Sequence, residues 1–226
     1  MSETVITVQG SSSIRHAPER ATVSVAVSHD GAARDKVFAE TTTAAESITT
    51  ALRGMLDAAS GPVVTWSSDR VAVWSDRPWN NDGKRLPLVF HATIGVRATF
   101  SDFEALARWV ESTAAISGAN VGSIEWELTD DTRDALLTEA RTKAVQDAAA
   151  KALVYAQAAE LTAVTATAIA DPGLLGSPDG SPQPFGGAPA APRMFAAKAM
   201  SDSAPLAFTP QELEVAAQVD ARFLAS

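Results

Sequence analysis

With 226 residues, 46% of them hydrophobic, the chain can bury a sizeable core, and a single domain spanning residues 1–226 is expected. Its formal net charge of −9 and pI near 4.8, with no basic run longer than Lys84-Arg85, argue against a nucleic-acid or anionic-membrane surface, which needs clustered Lys and Arg to displace counterions. Cysteine is absent, which excludes a disulfide framework and a thiol nucleophile.

The start, MSETVITVQG, lacks the basic and apolar regions of a secretory signal, so a cytoplasmic location is expected. No apolar stretch approaches the roughly 20 residues that span a bilayer, so no transmembrane segment is expected. Residues 3–9 and 21–29 alternate (Val5, Val8; Ala21, Val23, Val25, Val27) around Gly10-Ser-Ser-Ser13, which reads as two strands and a turn. Over 33–59 the period changes: Val37, Thr41, Ala44, Ile48, Leu52, Met55 and Ala59 form a helical stripe that Gly61-Pro62 stops. Two strand-like runs follow, 63–74 and 88–100, with Asp82-Gly83 supplying a hairpin turn between them. In the second, Leu88, Phe90, Ala92, Ile94, Val96, Ala98 and Phe100 share one face.

Ser101-Asp-Phe-Glu104 has the pattern of a capping box and predicts a helix over 101–117, with Phe103, Leu106, Ala107, Val110 and Ala114 inside. Ile124, Trp126 and Leu128 predict a strand over 121–128. Asp130 and Asp131 then open the longest helix, 130–161, where acids suit the dipole. Its inner face is rich in alanine (Leu137, Ala140, Ala144, Ala148, Ala152, Ala159), so it can lie close on a sheet. A weak alternation over 163–170 predicts another strand.

Residues 171–208 hold seven of the twelve prolines, and their Pro/Gly/Ala-rich composition predicts a long insertion rather than an element. Thr209-Pro210 resembles a helix start, yet Leu213, Val215, Ala217, Val219, Ala221 and Phe223 alternate without a miss. A helical stripe would bury Asp220, so 212–224 is predicted as a strand. The expected fold class is therefore α+β: two β-α-β-β units with an N-terminal strand, and antiparallel-rich sheets packed against long helices. The units would be 21–100 and 121–224, joined by the helix 101–117.

Chemistry is harder to find. His16, His29 and His91 have no metal-site spacing, so no metal is expected. Glu125 and Glu127 share a strand face and would suit acid–base work, but alternation makes them first the wet side of a half-buried strand. Gly10-Ser-Ser-Ser13 has no following helix to aim at a phosphate. No serine lies in Gly-x-Ser-x-Gly or Ser-x-x-Lys, so no catalytic residue and no cofactor is assigned. Of the five tryptophans, Trp66 and Trp74 are an even number of residues apart, which on a regular strand puts them on one face; with Trp79 they could line an aromatic pocket. Met194, Phe195, Met200, Leu206 and Phe208 are apolar residues without periodicity inside the insertion, and they predict docking on the domain itself or on a neighbouring subunit, with Met194, Phe195 and Met200 as the expected interface.

Four stretches, ITVQGSSSIRHAPERATVSVAV, LVFHATIGVRATF, AVQDAAAKALVYAQAAEL and APRMFAAKAMSDSAPLAFTPQELEVAAQVDARF, resemble the SIMPL-domain (DUF541) family over nearly the full length. The family's V-x-G-x-G before Pro-Asp-x-Ala is altered here to Gly10 with Ser12, and Pro18 with Glu19; its Pro-Gly before the last strand is Pro210-Gln211. These are turn and strand-start positions. The resemblance supplies no active site, and it implies export and oligomerisation in some relatives. The expected function is a non-enzymatic assembly or interaction protein, a homo-oligomer with an unidentified protein partner, active in stress or envelope physiology. The alternative is a small-molecule binding protein or enzyme using the Trp66, Trp74 and Trp79 pocket.

Overall fold

The alternation at the end of the chain forms a strand: Leu213–Ala225 is extended, with Val219, Ala221, Phe223 and Ala225 buried on one side. The computed structural model describes residues 3–57, 59–79, 85–175 and 208–226. Their elements are β1 (Thr4–His16), β2 (Arg20–Gly31), α1 (Arg34–Met55), β3 (Val63–Ser68), β4 (Ala72–Asp76), β5 (Val89–Phe100), α2 (Phe103–Ala114), β6 (Ala119–Glu127), α3 (Asp130–Ala158), β7 (Val164–Ala170) and β8 (Leu213–Ala225). Every paired ladder is antiparallel, and the fold class is α+β.

The described residues group into two compact units. One takes 3–16, 129–175 and 212–226; the other takes 17–128 with 208–211. In the first, the sheet order is β1-β8-β7, and α3 lies on one face. Ala140, Ala144, Ala148, Ala152 and Ala156 are fully buried there, a stripe stepping by four. Val8, Val219 and Phe223 pack beneath it. Methyl groups alone on the helix side bring the two backbones close.

In the second unit the order is β3-β5-β2-β6, with β4 also paired to β5. Alternate residues of β2 (Ala21, Val23, Val25, Val27) and β5 (Ile94, Val96, Ala98, Phe100) meet Ile48 and Leu52 of α1 and Leu106 and Trp109 of α2. The other face of this sheet is polar, with Thr22 bonded to Thr99 (2.9 Å) and Ser28 to Thr93 (2.8 Å) across strands.

Both units share a plan of middle strand, last strand, first strand. In one it is β3-β5-β2 with α1 following the first strand; in the other it is β7-β8-β1 with α3. The first strand of the second set is β1, from the chain's start, and not the 121–128 strand expected from sequence. That strand, β6, instead extends the larger sheet beside β2. The two strands pack differently. β6 carries Ile124 and Trp126, which pack on the larger core, whereas β1 presents Gly10 to α3.

Four local expectations are corrected. Gly10-Ser-Ser-Ser13 is no turn: it runs through the middle of β1, with Gly10 opposite Val219 and Ser13 opposite Ala216. α1 ends at Met55, ahead of Gly61-Pro62, because Asp57 accepts from the Ala59 and Ser60 amides and the Ser60 hydroxyl and so shapes a tight turn. The cap of α2 is Asp102, which accepts from the Glu104 and Ala105 amides, while Ser101 donates to the Gly61 carbonyl. Ala159 lies past the last turn of α3 and is exposed; Ala156 fills that place in the stripe. The Asp82-Gly83 turn lies outside the described residues.

Candidate functional site

The Trp66, Trp74 and Trp79 set is not brought together. Trp66 pairs with Ala98 and packs on the helix-side core, with the Arg53 guanidinium 5.4 Å over its ring. Trp74 pairs with His91 on the opposite, polar face and stacks on its imidazole at 5.3 Å. The even spacing assumed one regular strand. The run instead breaks into β3 and β4, and the register on β5 slips by one residue between Ser68–Val96 and Ala72–Thr93. A slip of one turns every later side chain to the other face. Trp79 is 84% exposed. Met194, Phe195, Met200 and Leu206 lie outside the described residues.

The histidines are dispersed. His29 Nδ1 lies 3.3 Å from the Thr41 hydroxyl, and His91 Nε2 lies 2.9 Å from Asp76 Oδ1, at a half-exposed pair. Glu125 and Glu127 are exposed on alternate positions of β6, as the wet-face reading expects. Among the described residues no group of three or more His, Asp or Glu side chains is placed to hold a metal ion.

The sheet edges carry more information. A sheet that ends in an unpaired strand offers a row of amides and carbonyls to any other strand, and proteins commonly blunt such edges with charge or cover. On β1 the cover comes from α3. Asp147 accepts the Ser11 amide (2.9 Å), Lys151 donates to the Gln9 carbonyl (3.0 Å), and the two side chains pair with each other at 2.6 Å. The Lys151 hydrogen bond, and then the Ser11 amide, hold the Asp147 carboxyl below its usual range. Sequence reading passed over these two residues. Their signal was an Asp and a Lys four apart, beside the alanine stripe.

The remaining edges differ. β6 displays Glu125 and Glu127. β3 is met at its start by a bridge from Leu56 and a hydrogen bond from Asp57 to the Val63 carbonyl. β7, with the sequence VTATAIA, has no charged residue, and among the described residues only β8 pairs with it. A bulge at Ala166/Ala168 is its one irregularity, with the Thr167 hydroxyl donating to the Arg222 carbonyl. The chain that leaves β7 is tied to β8, where Asp220 accepts the Gly173 amide (2.7 Å) and Arg222 reaches the Leu175 carbonyl (3.4 Å). At the end of the insertion, Phe208 packs edge-on against Trp126, with ring centroids 6.0 Å apart.

The described residues thus form an α+β scaffold of helix-backed antiparallel sheets whose edge strands include β1, β7, β3 and β6. No described helix is long and apolar enough to cross a membrane. The chain belongs to the SIMPL family, described as a protein of unknown function (DUF541), whose family model matches residues 6–223. No curated protein matches the chain.

Proposed function

We propose that the protein is a non-enzymatic assembly or interaction module that works as a homo-oligomer, with a role in stress or envelope physiology. What supports the reading is the contrast between two edges of one sheet: β1 is capped by Asp147 and Lys151, whereas β7 is uncharged and, among the described residues, pairs with β8 alone. A chain of net charge −9 repels its own copies, so a neutral seven-residue edge is where two copies approach at least electrostatic cost. The partner strand in this proposal belongs to a second copy. Met194, Phe195 and Met200 of the adjoining insertion form a further contact set, whose prolines reduce the entropy lost on ordering.

Sedimentation of the wild type and of a triple Met194→Ser, Phe195→Ser, Met200→Ser variant tests this. The expected result is a defined oligomer that dissociates in the variant while circular dichroism stays unchanged. A wild type that is monomeric at all accessible concentrations overturns the proposal.

A further inference from the structure

We infer that the polar face of the larger sheet carries a binding site for a small zwitterion, a molecule bearing both a carboxylate and an ammonium group. The site is a depression of about 520 Å³ on β2, β5 and β6, bounded by Ser24, Ser67, Asp69, Arg97 and Asn120. It stands in the unit formed by residues 17–128 and is independent of the assembly reading.

The floor is made by missing side chains. Gly95 of β5 pairs with Ala26 of β2, which in turn pairs with Asn120 of β6. Glycine inside a strand weakens it and marks a place where another group approaches closely. Here that group is Asp69, in the break between β3 and β4. Its amide donates to the Gly95 carbonyl (2.8 Å), and a Cβ on Gly95 would overlap the Asp69 carboxylate. A bulge on β6 opposite Ser24 adds Gly122, where a Cβ would stand 3.1 Å from the Ser24 carbonyl oxygen. The register slip that separates Trp66 from Trp74 is thus the same irregularity that turns Asp69 over the sheet.

Charge selects the ligand. Arg97 lies two residues along β5 from Gly95, on the same face, and pairs in register with Ser67. No ion pair joins Arg97 or Asp69 to each other or to any other described residue. A dianion such as a phosphate ester would meet repulsion from Asp69, and a polycation would meet it from Arg97. A molecule with one charge of each sign satisfies both, while the Asn120 amide and the Ser24 and Ser67 hydroxyls supply neutral hydrogen bonds.

The test is calorimetric titration of the full-length protein with glycine, 4-aminobutanoate and 6-aminohexanoate, in which the two charges are separated by increasing lengths. Acetate and methylammonium serve as single-charge controls. The expected result is saturable binding of at least one zwitterion, weakened about tenfold or more by Arg97→Gln and by Asp69→Asn, with thermal melting unchanged. Ala26→Leu, which fills the floor from an exposed position, should abolish saturation and keeps the proposal testable if a charge variant is unstable. No binding by any of the three zwitterions, or acetate binding that matches theirs and ignores Asp69→Asn, overturns it.

Discussion

Gly10 of β1 lies so close under Ala148 of α3 that a Cβ on Gly10 would stand 2.8 Å from the Ala148 Cβ and overlap the Ala144 carbonyl oxygen. Two substitutions therefore strike one contact. Ala148→Leu should overpack it and cost on the order of 1–3 kcal/mol. Gly10→Val should cost at least as much, because it meets helix backbone rather than a side chain that can turn away. Urea unfolding measures both, and a neutral result for either would mean that the helix can lift from the sheet freely.

The Asp147 cap predicts a pH dependence with a fixed sign. Lys151, and then the Ser11 amide, lower its folded-state pKa below the ordinary 3.8. A carboxyl with a depressed folded pKa stabilises above its unfolded value, and that contribution is lost as pH falls through the folded value. The stability difference between wild type and Asp147→Asn should therefore be present at neutral pH and shrink on acidification below the carboxylate range. Unfolding curves collected across that range check it; a difference independent of pH would contradict the cap.

Because β8 is the central strand of the smaller sheet and β1 its flank, truncation at either end of the chain should damage the same unit. Removing residues 212–226 takes away Val219, Ala221 and Phe223 from beneath α3, and should give insoluble or molten protein. Removing residues 1–16 should expose the alanine stripe of a helix that begins at Asp130. Amide exchange would report this as lost protection in α3, with β2 and β5 spared. Retained protection in α3 would argue against the pairing of β1 with β8.

The start of α2 gives a local check. Asp102→Ala should cost about 1 kcal/mol, in the usual range for an N-cap, because two amides lose their acceptor. Ser101→Ala should cost less, since the Ser101 hydroxyl donates to the Gly61 carbonyl and caps no helix amide, and its amide bond to the Pro62 carbonyl survives the change. Equal effects in thermal melts would restore Ser101 as the cap.

The elements were legible wherever one face was continuously apolar. β5, α3 and β8 follow from alternation or from the alanine period, to within a few residues at each end. What escaped was set by contacts between distant residues. Gly10 reads as a turn until α3 is placed on it, and an even Trp66–Trp74 spacing says nothing of a register slip between them. That β1 and not β6 neighbours β8 is a pairing between the two ends of the chain, which local alternation does not specify. The edge cap and the depression were hidden for the same reason: Asp147, Asp69 and Arg97 look like ordinary surface charges until the backbone they approach is known.

Light scattering of the full-length protein beside a Thr165→Lys variant tests the central claim most directly. Thr165 is an exposed residue of β7, and a lysine there places charge on an edge that only β8 pairs among the described residues, without entering a core. The account predicts a defined wild-type oligomer whose molar mass falls in the variant while its melting is preserved. A wild type of monomer mass, or an oligomer that the lysine leaves intact, would contradict it.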